Sequence, residues 1–263
     1  MFGKTTAGSR LAHQLIATLV AIPFAAPLVV IVVTSFGGQG AIANYTAVIT
    51  NTPILRFILN SLLMSAGTVA VVLVCTLLSG YAFSKLNFRG RRLLFNAILG
   101  GLILPVVALL VPMFLFVRTF GLFNNFLAVI LPLSAVMIPL TLLLTKNYLD
   151  GVPDEILEAA RIDGASRFST LLLIVVPLSR PIIAVVVVWA YLNAWNEFLL
   201  PLVFLQDPNL QAVTQVPTYF TSTYGSDVPK IFASLVLMSA PIVAVYLSLQ
   251  SFFERGLTAG AVK

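Results

Sequence analysis

Charge is what this sequence lacks most. Of its 263 residues only 9% are charged, against a hydrophobic share of 59% and a mean hydropathy of +1.04. Soluble globular domains carry roughly a quarter of their residues as charges, so that class is excluded. A single cysteine, Cys75, rules out an intrachain disulfide, and a single histidine, His13, leaves no cluster of nitrogen donors for a metal. Cys75 sits inside an apolar run and reads as packing; His13 reads as an interfacial structural residue. No G-x-x-x-x-G-K-[ST] phosphate loop occurs, and no nucleophile-base pair is suggested. No catalytic residue, metal or cofactor is expected in this chain.

What the sequence has instead is long apolar runs. Crossing a hydrocarbon layer of about 30 Å takes about 20 mostly apolar residues in a helix. Six runs of that kind occur, at 13–36, 57–83, 93–117, 122–144, 181–204 and 231–253. Backbone groups in lipid must bond internally, and no alternating strand pattern appears, so an all-α integral membrane bundle of six helices is expected rather than a barrel. The first run follows Lys4 and Arg10 in the manner of a signal peptide, but its length and want of a small-residue cleavage site make it a retained span.

Basic residues near span ends stay in the cytoplasm. With the N-terminus inside, twelve of the fifteen Lys and Arg fall on inner segments, leaving only Arg56, Arg118 and Lys230 outside. Both termini are therefore expected to be cytoplasmic. The net charge of +6 is accounted for by topology, with no nucleic acid needed. The organisation that follows is a tail at 1–12, a first span at 13–36, a core at 57–253 with a cytoplasmic loop at 146–180, and a tail at 254–263.

That loop holds an unexpected concentration of charge. Between Asp150 and Arg167 lie seven charged residues, five of them acidic out of nine in the whole chain. Burying seven charges at mid-bilayer would cost roughly 20 kcal/mol, at about 2.5 to 3.5 kcal/mol each. The stretch stays out of the membrane, yet it carries helix signals: Pro153 at a start, Asp154, Glu155 and Glu158 near the positive end, and Gly164 just past the stop. Such a short helix is marginal alone and should be stabilised by docking. Spacing places Ile156, Ala159, Ala160 and Asp163 on one face, kept thin by its alanines. A second segment begins at Ser166 and ends at Pro177.

At these residues the sequence resembles a known family. "EAARIDGASRFSTLLLIVVP", Glu158 to Pro177, is similar to the EAA loop of permease subunits in binding-protein-dependent ABC importers. Glu158, Ala159, Ala160, Gly164, Ile174 and Pro177 stand in register, and Val176 replaces the family's Leu. "GYAFSKLNFRGRR", "NAWNEFLLPLVF" and the closing "GLTAGAVK" resemble the carbohydrate-uptake branch, with its maltose-type G-like permeases. The resemblance implies a type I importer permease fold, in which the loop is the coupling helix that docks on an ATP-binding subunit. Glu158, Ala159, Ala160, Asp163, Gly164, Ile174 and Pro177 would make or shape that contact. It also implies the partners: a second homologous permease, two ATP-binding subunits that hold ATP and magnesium, an extracytoplasmic solute-binding protein or lipoprotein, and a carbohydrate or related polyol as cargo. The rival is an ATP-independent secondary transporter or channel.

The fifth run offers a candidate pathway. Asn193, Asn196 and Glu197 fall within about 100° of arc on one helix with Trp189 a turn below, a polar and aromatic stripe suited to a sugar. Interhelical hydrogen bonding is the other reading of the same residues. Trp195 points away and reads as packing. Prolines 105, 112, 132, 139 and 241 are either hinges or fixed bends, Gly100 and Gly101 read as a close helix contact, and the C-terminal tail is either frayed or in reach of the ATPase.

Overall fold

The computed structural model describes residues 7–222 and 225–261. Lys4, Lys263 and the first half of the N-terminal tail lie outside the described residues. Two compact units make up the chain: one runs through Ile54 and includes Val216–Ala240, and the other takes Leu55–Gln215 and the chain from Pro241 onward.

The first unit holds α1 (Ala7–Ser35), α2 (Ala41–Asn51), a short hairpin of β1 (Thr221–Ser222) and β2 (Gly225–Ser226), and the start of α12 (Val228–Ala261). The large apolar side chains of α1, such as Leu19 and Phe24, are exposed, as suits a helix whose solvent is lipid. The turn after it is held by Asn44, whose Nδ2 donates to the carbonyls of Ser35 and Gly37 at 2.9 and 2.8 Å. Helix α2 lay outside the expected spans, being too short and too mixed in polarity to read as one.

The second unit is built on α3 (Ile54–Lys85), α4 (Arg91–Gly100), α5 (Leu110–Thr119), α6 (Leu127–Asp150), α7 (Asp154–Ile162), α8 (Arg167–Thr170), α9 (Val176–Leu178), α10 (Arg180–Trp195) and α11 (Leu199–Phe204). Its core joins α3, α5, α6, α10 and α11. Ile182, Val186, Ala190 and Ala194 recur every four residues on the buried stripe of α10, against Ile130, Leu133 and Met137 of α6.

Among the described residues four helical stretches are long and apolar enough to cross a membrane: His13–Ser35, Ile54–Lys85, Leu127–Asp150 and Val228–Val245. Two bent pairs raise the number to six when each is taken as one span. The expected all-α fold stands, but two runs expected as single helices are interrupted. Arg91–Ile103 and Val106–Thr119 meet at 102°, because Pro105 forces Leu104 out of helical geometry to φ −77°, ψ 125°. This bend replaces the straight third run at 93–117. Likewise the fifth run, 181–204, stops at Trp195 and restarts at Leu199. The fourth begins at Leu127 rather than 122 and continues to Asp150. Helix α12 continues past 253 to Ala261, so its backbone is helical where a frayed tail stood as one reading.

Gly67 and Gly80 let α3 and α6 pack closely. A Cβ on Gly67 would lie 2.6 Å from Ile130 Cδ1, and one on Gly80 2.8 Å from Thr145 Cγ2. Between these levels the hydroxyls of Thr76 and Thr141 hydrogen-bond at 2.9 Å in a buried setting. Cys75, read as packing, is exposed on the other side of α3. Trp195 is buried and stacks on Tyr191 at 5.8 Å between ring centres, as its expected packing role requires.

Candidate functional site

The charge-rich loop forms a short rod between two long helices. Three residues, Gly151 to Pro153, separate α6 from α7, and Pro153 serves as the N-cap at φ −58°, ψ 134°. Asp154 and Glu155 occupy the first turn and Arg161 the last, the order the helix dipole favours. The stop is a Schellman motif: Gly164 N–H donates to the Arg161 carbonyl at 3.0 Å and Ala165 N–H to the Ala160 carbonyl at 2.9 Å. Gly164 stands at φ +82°, a conformation that costs other residues roughly 1–2 kcal/mol. Helix α8 then starts from Ser166, whose Oγ accepts from Ser169 N–H at 3.1 Å.

Burial divides the rod into two faces. Leu157 and Ala160 are buried, and Leu157 packs with Tyr81, Leu149, Leu171 and Val175 in a small apolar cluster. Glu155, Ile156, Glu158, Ala159, Ile162 and Asp163 are exposed. The expected face of Ile156, Ala159, Ala160 and Asp163 is therefore corrected: Ala160 belongs to the inner face and Ile162 joins the outer one. Four- and three-residue spacing alone could not say which side of Ala159 faces the bundle. Ile174 is half-buried and Pro177 exposed, so neither shares the rod's outer face; they lie on the return segment. That segment includes a π-helical stretch, Leu171–Val175, and ends in an 80° bend near buried Ser179. Pro177 and Pro181 lack N–H groups on either side of the bend, and Ser179 Oγ donates to the Val175 carbonyl at 2.6 Å.

The rod is tied down at its base. Lys85, with its side chain only 6% exposed, donates from Nζ to Asp154 Oδ1 at 2.7 Å and to the Val152 carbonyl at 2.6 Å. Ser84 Oγ donates to Asp150 Oδ1 at 2.7 Å, and Lys146 pairs with the other oxygen of Asp150. Arg91 Nη2 donates to the Ser84 carbonyl at 3.1 Å. Around these groups opens a polar cleft of about 450 Å³, lined among others by Lys85, Arg91, Asp154, Glu158, Arg161 and Arg167. The sequence reading missed Lys85, although its stretch, "GYAFSKLNFRGRR", was singled out.

The polar stripe survives only in part. Trp189 and Asn193 are exposed on α10, and Asn196 is exposed at its C-cap, with the two amide groups donating to the carbonyls of Trp189 and Leu192 at 2.8 Å. Glu197 leaves the stripe. Pro201 has no N–H to offer the Glu197 carbonyl, and Thr214 Oγ1 donates to it instead at 2.8 Å. The carboxylate turns to accept Leu200 N–H at 2.9 Å at the head of α11. An uninterrupted helix through 204 was the premise that joined Glu197 to Asn193, and the proline removes it.

At the opposite end of this unit, the loop before residue 216 is held by amides. Asn124, at φ 54°, accepts Gln206 and Asp207 N–H at 2.7 and 2.9 Å, and Asn60 Nδ2 donates to the carbonyls of Asn209 and Gln211, each at 2.9 Å. Ser61 Oγ accepts Val213 N–H at 2.9 Å. An apolar cavity of about 390 Å³ also lies beside the bend of α4 and α5, against Pro132, Val136 and Pro139 of α6.

Helices long and apolar enough to span lipid, with a charged rod following one of them, are the features of a multi-pass membrane protein. The chain belongs to the family of binding-protein-dependent transport system inner membrane components, whose model matches residues 73–259. Among its relatives is the sulfoquinovosyl glycerol transport system permease protein SmoH of Agrobacterium fabrum, 32% identical over 90% of this chain and 84% of the relative. The trehalose/maltose transport system permease protein MalG of Thermococcus litoralis is 31% identical over 86% of this chain and 82% of its own length. In fold the chain is similar to one from the crystal structure of a bacterial ABC transporter involved in the import of alginate, at TM-score 0.78 and 20% identity, covering 95% of this chain and 99% of that one. The resemblance carried by the EAA loop is thus borne out at the level of family and fold.

Proposed function

We propose that this chain is the permease subunit of an ATP-driven importer for a carbohydrate or related polyol, worked through α7 by a separate ATP-binding subunit. The observation that supports this best is the two-faced rod: Leu157 and Ala160 fix it to the bundle while Glu158, Ala159, Ile162 and Asp163 face outward at the end where Lys and Arg collect. Small side chains allow close approach and the charges set register against a polar surface. The carbohydrate cargoes for which SmoH, MalG and the alginate transporter are named support the substrate class.

In this reading the rod end faces the cytoplasm, both termini lie inside, and the core at 57–253 carries the transport function. A second permease completes the pathway, two ATPase subunits hold ATP and magnesium, and an extracytoplasmic binding protein delivers the solute. Trp189, Asn193 and Asn196, exposed together on and just beyond α10, face the pathway; Glu197 shapes its rim by holding α11 in place. Ile174 and Pro177 shape the return of the chain below the bend.

The experiment is uptake by the complete transporter carrying Glu158→Lys. Loss of uptake with the subunit still in the membrane is the expected result, and unchanged uptake would remove the coupling role.

A further inference from the structure

We propose that Lys85 is a positioning residue for coupling: it joins the base of α7 to α3, so that a displacement of the rod moves α3 and α6 as one body. The inference rests on the coupling role of α7 proposed above. Three routes lead from the start of the rod into α3 and α6. One is covalent, through the three residues between Asp150 and Asp154 into α6. A second is apolar, the packing of Leu157 with Tyr81 of α3 and Leu149 of α6, and the third is Lys85, whose ammonium binds both Asp154 at the first turn of α7 and the carbonyl of Val152 in the connector.

The burial of Lys85 makes this more than a surface ion pair. Asp154 is 75% exposed, but the lysine side chain is 6% exposed, so its stem is packed and its ammonium is held at the edge of the polar cleft by two acceptors. Its place in the last turn of α3 also puts the positive charge at the negative end of that helix. Beyond Lys85 the two helices are already locked. Ser84 bonds Asp150 at their ends, Thr76 bonds Thr141 higher up, and at Gly80 and Gly67 the side chains of Thr145 and Ile130 lie directly against the α3 backbone. A push received by α7 therefore enters a pair of helices joined at intervals over nearly five turns, about 25 Å by helix geometry. Without Lys85 the rod would touch α3 only through the apolar packing of Leu157 with Tyr81, a contact that can slide where a charged hydrogen bond to Asp154 cannot.

The test is Lys85→Met in the complete transporter reconstituted in liposomes with its ATPase subunits and binding protein. The methionine keeps the packed stem and removes both hydrogen bonds. The expected outcome is normal copurification of the ATPase and normal basal ATP hydrolysis, with uptake and receptor-stimulated hydrolysis reduced at least tenfold. Lys85→Arg, which restores a donor to Asp154, should recover a large part of both, and Asp154→Asn, which keeps an acceptor, should cost less than Lys85→Met. Uptake within twofold of the native value in Lys85→Met would overturn the proposal. So would loss of the ATPase from the complex, since Lys85 would then only hold the docking helix in shape. Glu158→Lys separates the two ideas: if it transports normally, the coupling role of α7 fails and the role of Lys85 fails with it, whereas normal Lys85→Met beside inactive Glu158→Lys removes only the strut.

Discussion

The two ends of the second unit are fastened by different chemistry. At one end stands a helix with an exposed acidic face, held by a buried lysine and a small apolar cluster around Leu157. At the other, Asn60, Asn124 and Ser61 bind a loop backbone directly through short neutral hydrogen bonds. Neutral amides on backbone groups fix a loop in one shape, and the charged Arg56 and Asp207 at this end are both engaged with Asn209 of the same loop. A rod standing on a lysine, by contrast, keeps its outer groups free and rigidly displayed. Under the proposed function, the first end would receive force and the second would hold shape.

The largest expected effect on this contrast comes from Gly164→Pro. It removes the N–H that bonds Arg161 and cannot adopt φ +82°, so α7 should lose its stop and uptake should be abolished while the subunit remains in the membrane. Normal uptake by a well-expressed variant would erase the distinction between the two ends. Leu157→Ala comes next. Removing a buried leucine costs about 2–5 kcal/mol, which should appear as faster proteolysis within residues 151–166 and reduced uptake. Protection equal to the native protein would show that the rod is held by Lys85 alone.

At the amide end, Asn124→Ala deletes the acceptor of two backbone donors and strains a left-handed residue. A stability loss of roughly 1–3 kcal/mol is expected in thermal unfolding of the detergent-solubilised complex, with ATPase copurification unchanged. Loss of the ATPase in this variant would mean that the ends are not functionally separate. The smallest effect belongs to Ser166→Ala, which removes the cap of α8 at a cost of about 1 kcal/mol and should lower uptake modestly, by less than fivefold.

Much of this was legible in the sequence, and the residues show why. Apolar runs need no tertiary knowledge to be recognised, since lipid acts on each helix separately, and the positions of Pro153, Gly164 and Ser166 are local signals that the structure uses as caps and stops. The face of α7 was read less well. Ala159 and Ala160 are chemically identical, and only the packing of Leu157 against Leu149 decides which one turns inward. Glu197 was misplaced for a similar reason: Pro201 was visible, but the donor that replaces its missing N–H is Thr214, distant in sequence. Lys85 and Asn124 act through partners 69 and 82 to 83 residues away, a separation no local pattern reports.

One neighbouring pair of side chains tests the central claim most directly. In a Cys75→Ala background, which removes the chain's only cysteine, Ala159→Cys and Ala160→Cys should be compared for cross-linking to the ATPase in the assembled transporter. The account predicts a strong link from position 159, on the outer face, and little or none from position 160, which faces the bundle. Equal linking from both positions, or none from position 159 in any nucleotide state, would contradict it.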